Sequence, residues 1–192
     1  MTLGKHPEVV ETAAVSRSAR PFRQGSLDAY CGFYSIANAM LKIKPEAFDD
    51  AEGTLRLVRT MMRTAARICA PEELVHEGMD GVELDYVAKA AIRHMRRIGH
   101  NFRLVRPSRL GLGPLSRDPA KWFADAAAVT SIAVILHIDK NVQSHWSVLS
   151  CTKGNRLVLF DSDQMKSAKI VQCQPHLAIA RCPVQWHPGM SR

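Results

Sequence analysis

No stretch of this 192-residue sequence is long and apolar enough to span a bilayer. The longest apolar-leaning stretch, Phe123 to Ile138, is interrupted by Asp125, Thr130, Ser131 and His137, and a spanning helix needs about 20 predominantly apolar residues. Low-complexity tracts and internal repeats are also missing, which excludes solenoid and fibrous architectures. The opening segment, MTLGKHPEVVETAAVSRSARPF, has no apolar core of the kind a secretory signal carries. Its Ser and Arg content resembles a transit peptide, but Glu8 and Glu11 argue against one. Residues 1–20 therefore read as a flexible leader, and residues 21–192 as a single domain. Paired Cys-x-x-Cys knuckles are lacking, and the five cysteines (Cys31, Cys69, Cys151, Cys173, Cys182) are odd in number and irregularly spaced. That pattern excludes a disulfide framework and points to free thiols in a reducing compartment, by default the cytoplasm.

What is present has the balance of an ordinary globular domain, with 46% apolar and 23% charged residues. The net charge of +8 favours acidic partners without naming one. Arg56, Arg59, Arg63 and Arg67 recur at steps of three and four, so a helix would gather them into one stripe. Arg93, His94, Arg96 and Arg97 close the next helical segment, where a helix C-terminus suits cations. Two solvated helix faces are the ordinary explanation. The alternative is a docking surface for an acidic protein at the Arg56/Arg59/Arg63/Arg67 face, with nucleic acid the less favoured partner. No membrane partner, cofactor or metal is expected.

Periodicity divides the chain in two. Ile36, Ala37, Met40, Leu41 and Ile43 recur at helical spacing, which places Cys31 at or near a helix N-terminus, and Pro45 ends that helix. A second helix is expected over Asp50 to Cys69, burying Leu55, Val58, Met62, Ala65 and Cys69 opposite the arginine stripe. Pro71-Glu72-Glu73 suits the first turn of a short third helix. Asp80 can cap a fourth helix, which Gly99 stops near Ile98. After a short strand at Phe102 to Val105, a loop and a helix at Pro119 to Ala128, the pattern turns to strands. Ser131 to Ile138, His145 to Thr152 and Arg156 to Phe160 are rich in Val, Ile and Leu and separated by turn residues. Weaker strands follow near Lys169 to Val171 and Leu177 to Ala180. A helical first half and an antiparallel second half define an α+β domain.

A thiol nucleophile needs an adjacent base, a group that orients the base, and donors for the oxyanion. Cys31 has the setting for the first role, because a helix N-terminus favours an anion, and Gly32 beside it leaves room for substrate. His145 opens the strand HWSVLS, where alternation puts His145, Ser147 and Leu149 on one face. Asp161 follows the next strand, and a hairpin would bring it near His145, where a carboxylate can orient an imidazole. Gln24 lies across a turn from Cys31, and its amide can reach an oxyanion beside the Cys31 N–H. The ordinary explanations are a buried thiol at Cys31, a core histidine at His145 and a turn residue at Asp161. His137 is an alternative base and Asp163 an alternative orienter. Asn38 reads as structural and Trp146 as core. Cys173, His176, Cys182 and His187 have a spacing that could gather zinc, but the intervening LAIAR reads as a strand that would hold the halves apart. An edge strand and a tail are expected there.

The segment QGSLDAYCGFYSIANAM resembles the nucleophile region of papain-like cysteine peptidases, in which a Gln precedes a Cys-Gly that opens the central helix. SHWSVLS followed by LVLFDSD resembles their His strand and orienting residue. The order Gln24, Cys31, His145, Asp161 is similar to the bacteriocin-leader peptidase branch, which uses Asp as the third residue. Phe33 departs from the Ser-Cys-Trp run of the plant and lysosomal enzymes, and the Gln-to-Cys spacing is one residue longer than in papain. The resemblance covers about forty residues. It implies a papain-like fold, with the nucleophile helix packed on an antiparallel sheet and the site in the cleft between them. It also implies hydrolysis of peptide or isopeptide bonds through a thioester on Cys31. Deamidation and acyl transfer use the same groups, and a papain-like scaffold serving only as a binding module is the non-enzymatic alternative.

Overall fold

Helix α1, Cys31–Ile43, is buried on nearly every side, as its apolar run CGFYSIANAMLKI requires. The structure, a computed structural model, describes residues 20–23, 30–139, 144–163 and 165–182; the expected leader at 1–20 lies outside them except for Arg20. Around α1 stand α2 (Ala51–Ala65), α3 (Pro71–His76) and α4 (Gly81–Arg97). Asp50 starts α2 by accepting the backbone N–H groups of Glu52 and Gly53 at 3.0 and 2.9 Å. Asp80 starts α4 through a reciprocal cap with Glu83, each side chain accepting the other's backbone N–H at 2.8 Å. Gly99, at φ +90, takes the left-handed conformation that ends α4.

The second half supplies most of the sheet. Its strands are β1 (Phe102–Val105), β2 (Ile132–Asp139), β3 (Ser144–Lys153), β4 (Arg156–Phe160), β5 (Ser167–Lys169) and β6 (Cys173–Arg181). They form one six-stranded antiparallel sheet in the order β1-β6-β2-β3-β4-β5. Helix α5 (Pro119–Ala128), capped by Asp118, packs on β2 and β3. The architecture is α+β.

Alternation along the strands divides the core. Ala133, Ile135, Trp146, Val148, Leu177 and Ile179 join α1, α2 and α4 in the larger cluster. Val134, Leu136, Ile138, Leu149, Leu157, Leu159 and Ala178 join Trp122 and Phe123 of α5 in the smaller one. Ile36 and Met40 of α1 are fully enclosed, and truncating such a side chain to Ala costs about 2–5 kcal/mol.

Three expectations need correction, the first at Lys169 to Val171, where the strand is β5 at Ser167–Lys169 and Ile170–Gln172 forms a 3-10 turn. In α2 the buried positions are Gly53, Leu57, Met61 and Ala65, while Leu55 and Met62 are 47% and 45% exposed. The helix rolls so that Leu57 and Met61 meet the core, and Val58 and Cys69 are only half-buried. The expected weak edge strand at Leu177–Ala180 is in fact the middle of β6, a nine-residue strand paired on both sides. Its LAIA run is apolar on both faces because both faces are covered.

Candidate active site

Cys31 is the first residue of α1, and Tyr30 before it offers no side-chain cap. The first N–H groups of a helix have no acceptor within the helix, and among the described residues no side chain caps these donors around the thiol. Helix α1 lies alongside β3, and Lys42 in its last turn sits beside Cys151 near the strand's far end. Cys31, at the other end of the helix, therefore lies at the His145 end of β3.

His145 is the second residue of β3, paired across the ladder with Ile138. Its Nε2 lies 2.7 Å from Asp161 Oδ2, and the two side chains are only 7% and 1% exposed. A charge-assisted hydrogen bond of this length, shielded from water, is among the stronger polar contacts a protein makes. The β3–β4 hairpin creates it. Val148 pairs with Phe160, so the chain leaving β4 passes back beside the start of β3. Asp161 Oδ1 accepts the backbone N–H groups of Asp163 at 2.8 Å and Met165 at 3.1 Å. The carboxylate is thus held from both oxygens.

These contacts set the protonation of the pair. For Asp161, burial opposes the charge, but the hydrogen bond and charge of His145, the Ser147 hydroxyl dipole and the Asp163 N–H outweigh it, and its pKa lies below the ordinary value. Ser147 Oγ is itself buried and has no other hydrogen-bond partner among the described residues. For His145, burial would lower the pKa. Hydrogen bonds with Asp161 and Cys31, and their negative charges, overcome that and raise it to about 9. With Nε2 held by the carboxylate, Nδ1 is the ring nitrogen left to face Cys31.

Of the four expected residues, His145 and Asp161 are hydrogen-bonded to each other, Cys31 enters through its contribution to the raised His145 pKa, and Gln24 lies outside the described residues. Asp163 supplies a backbone N–H to Asp161, and it is Asp161 that meets His145. His137 packs its ring on Trp146, with centroids 4.8 Å apart. Trp146 is buried in the larger core, as expected. Asn38 clamps Phe22, accepting its N–H at 2.7 Å and donating to its carbonyl at 3.2 Å. Gly32 does not open a path to the sulfur. A Cβ there would collide with Met79 Cε and press on Leu84 Cδ1, so its smallness serves packing. A groove of about 280 Å³ does flank the first turn of α1, with Tyr30, Phe33, Met62, Leu74 and Val75 among its walls.

The residues weighed for zinc serve other contacts. Cys173 Sγ donates to Lys169 O at 3.3 Å and burial pushes its thiol up to about 11. His176 Nε2 lies 3.0 Å from Gly81 O and 3.3 Å from Asp85 Oδ1. β6 separates Cys173 from Cys182, and His187 lies outside the described residues. Among the described residues no three His, Cys, Asp or Glu side chains gather as a metal site. All five cysteines are free, and no described helix is long and apolar enough to cross a membrane.

Sequence reasoning passed over Met79 and the cluster of Asp85, Arg106 and His176. Asp85 carried a usable signal, as the one acid on the apolar face of α4 between Leu84 and Val87. Arg106 holds it through both oxygens. Comparisons of the chain with protein-family models, curated proteins and solved structures gave no match.

Proposed function

We propose that this chain is a cysteine-dependent amide hydrolase, a peptidase or isopeptidase, with Cys31 as nucleophile, His145 as proton carrier and Asp161 as its orienter. The observation that carries it is the buried His145–Asp161 pair, whose imidazole draws its raised pKa from both the aspartate and Cys31. A ring protonated at neutral pH is the natural partner of a thiolate. The thiolate attacks the amide carbonyl carbon, and His145 gives its proton to the leaving nitrogen, so the amine departs and a thioester remains. Water then attacks the thioester and yields a proton to His145. The C–S bond breaks, the acid product leaves, and the thiolate–imidazolium pair returns. The backbone N–H of Cys31 and the Gln24 amide would hold the oxyanion, and the apolar groove at Tyr30 and Phe33 suits an apolar substrate side chain. The papain-like family is the fold this chemistry suggests, and five free thiols suit a reducing compartment such as the cytoplasm.

An electrophilic probe that forms a thioether or acyl-enzyme near neutral pH tests the proposal, followed by peptide and ubiquitin-like fluorogenic panels. Cys31 should be labelled faster than Cys69, Cys151, Cys173 and Cys182, and His145→Ala should slow it. Equal labelling of all five thiols, or no effect of His145→Ala, refutes the nucleophile assignment. Products of deamidation or amine acylation would keep the triad and change the reaction.

A binding module is the second reading, favoured by one observation. The two basic clusters meet, with Thr60 of α2 3.4 Å from His94 of α4 and Arg56 and Arg97 both depressing the His94 pKa after burial itself. An acidic protein would dock across Arg59, Arg63 and Arg97. Salt-sensitive binding to an acidic partner, retained by Cys31→Ala with no thiol reactivity in the parent, would establish this reading instead.

A further inference from the structure

A groove of about 540 Å³ runs between α4 and the outer edge of β1, lined by Lys89, Arg103, Leu104, Val105, Arg106 and Arg109. Four of these six carry positive charge, and none is acidic. The nearby acid, Asp85, is buried and already engaged by Arg106 and His176. Lys89, Arg103 and Arg109 have no carboxylate within ion-pair distance among the described residues.

The backbone of this groove is equally informative. Among the described residues β1 ends the sheet and pairs only with β6. Cys182 N donates to Asn101 O at 2.8 Å, so Asn101, Arg103 and Val105 turn their backbone groups toward β6. By the alternation of an antiparallel ladder, Leu104 turns its N–H and C=O outward into the groove. An open strand edge is a template for another strand. Arg103, Arg106 and Arg109 would repel a second copy of this edge and attract an acidic chain. A nucleic acid could meet the cations, but an extended peptide backbone supplies a donor and an acceptor to Leu104 at the spacing of a strand.

We propose that the open edge of β1 takes up an extended acidic polypeptide segment as an added strand, with Lys89, Arg103 and Arg109 meeting its carboxylates. The backbone bonds fix the register, and alternate acidic side chains fall on the cationic face. This site stands apart from Cys31 and does not depend on its chemistry.

The test is fluorescence anisotropy of a labelled peptide alternating Glu and Thr, titrated with the full chain near neutral pH. Saturable binding is expected. N-methylation of one alternate set of peptide amides should weaken it about tenfold, while methylation of the other set leaves it within about threefold. Arg103→Glu with Arg109→Glu should weaken it by about tenfold or more. Lys89→Glu provides an independent variant on a different element, and the methylated peptides need no variant at all. Absent binding, equal effects of the two methylation patterns, or affinity unchanged by charge reversal overturns the proposal. So does an oligonucleotide of equal charge that displaces the peptide and binds more tightly.

Discussion

Trp146 donates its indole N–H to the backbone carbonyl of Met79 at 2.7 Å, and the Met79 side chain in turn fills the space above Gly32. One residue between α3 and α4 thus ties the neighbour of His145 to the neighbour of Cys31. Trp146→Phe keeps a ring in the core and removes the donor, leaving a carbonyl of a buried residue unpaired. We expect a loss of about 1–3 kcal/mol in urea denaturation. Because the tie holds two elements in register, probe labelling of Cys31 should also slow in a variant that remains folded.

The five thiols should separate by reactivity. Burial, with Glu83 adding to it, raises Cys69 to about 11, and burial raises Cys173 to about 11. Both are overwhelmingly protonated near neutrality, and the thiol form is the poorer nucleophile. Cys151 is exposed and should react with small alkylating agents irrespective of His145. Peptide mapping after limited alkylation should find Cys31 labelling cut about a hundredfold by His145→Ala, with Cys151 labelling unchanged.

Asp161→Asn isolates the orienting carboxylate. The amide fills the same space but loses the charge that helps raise His145. The imidazole pKa should fall from about 9 toward its ordinary 6.5, so the alkaline limb of the Cys31 reactivity profile should move to lower pH. Turnover on any substrate found should drop by roughly 10²–10⁴-fold. An unchanged alkaline limb would remove Asp161 from the pair's electrostatics.

Local signals in the sequence located the elements well. Asp80, Pro45 and Gly99 marked helix ends because caps and breakers act within a few residues. The closeness of His145 and Asp161 was legible as well, since hairpin geometry alone carries Asp161 back to His145. What required long-range pairing was hidden. Nothing local tells β6 to insert between β1 and β2, so its apolar run read as an edge. The roll of α2 that buries Leu57 and exposes Leu55 is set by its packing on α4, not by its own period. Met79 acts through its backbone carbonyl, which no residue type advertises.

The His145–Asp161 pair should leave a pH signature in stability. His145 binds its proton more tightly when folded, at about 9 against an ordinary 6.5. Its contribution is therefore complete below about 6.5 and lost as pH rises through about 9. Asp161 is opposite in sign. Its folded pKa lies below the ordinary 3.8, so its contribution is present above that value and lost as pH falls through the folded one. The two describe one interaction, which is strongest between these limits. Unfolding free energies taken from about pH 6 to about pH 10 should fall by an amount on the order of 3 kcal/mol as His145 deprotonates. His145→Gln, which cannot titrate, should flatten that alkaline slope while Lys121→Gln, changing an exposed ion pair with Asp125, should leave it intact. A slope that persists in His145→Gln would assign the titration to another group.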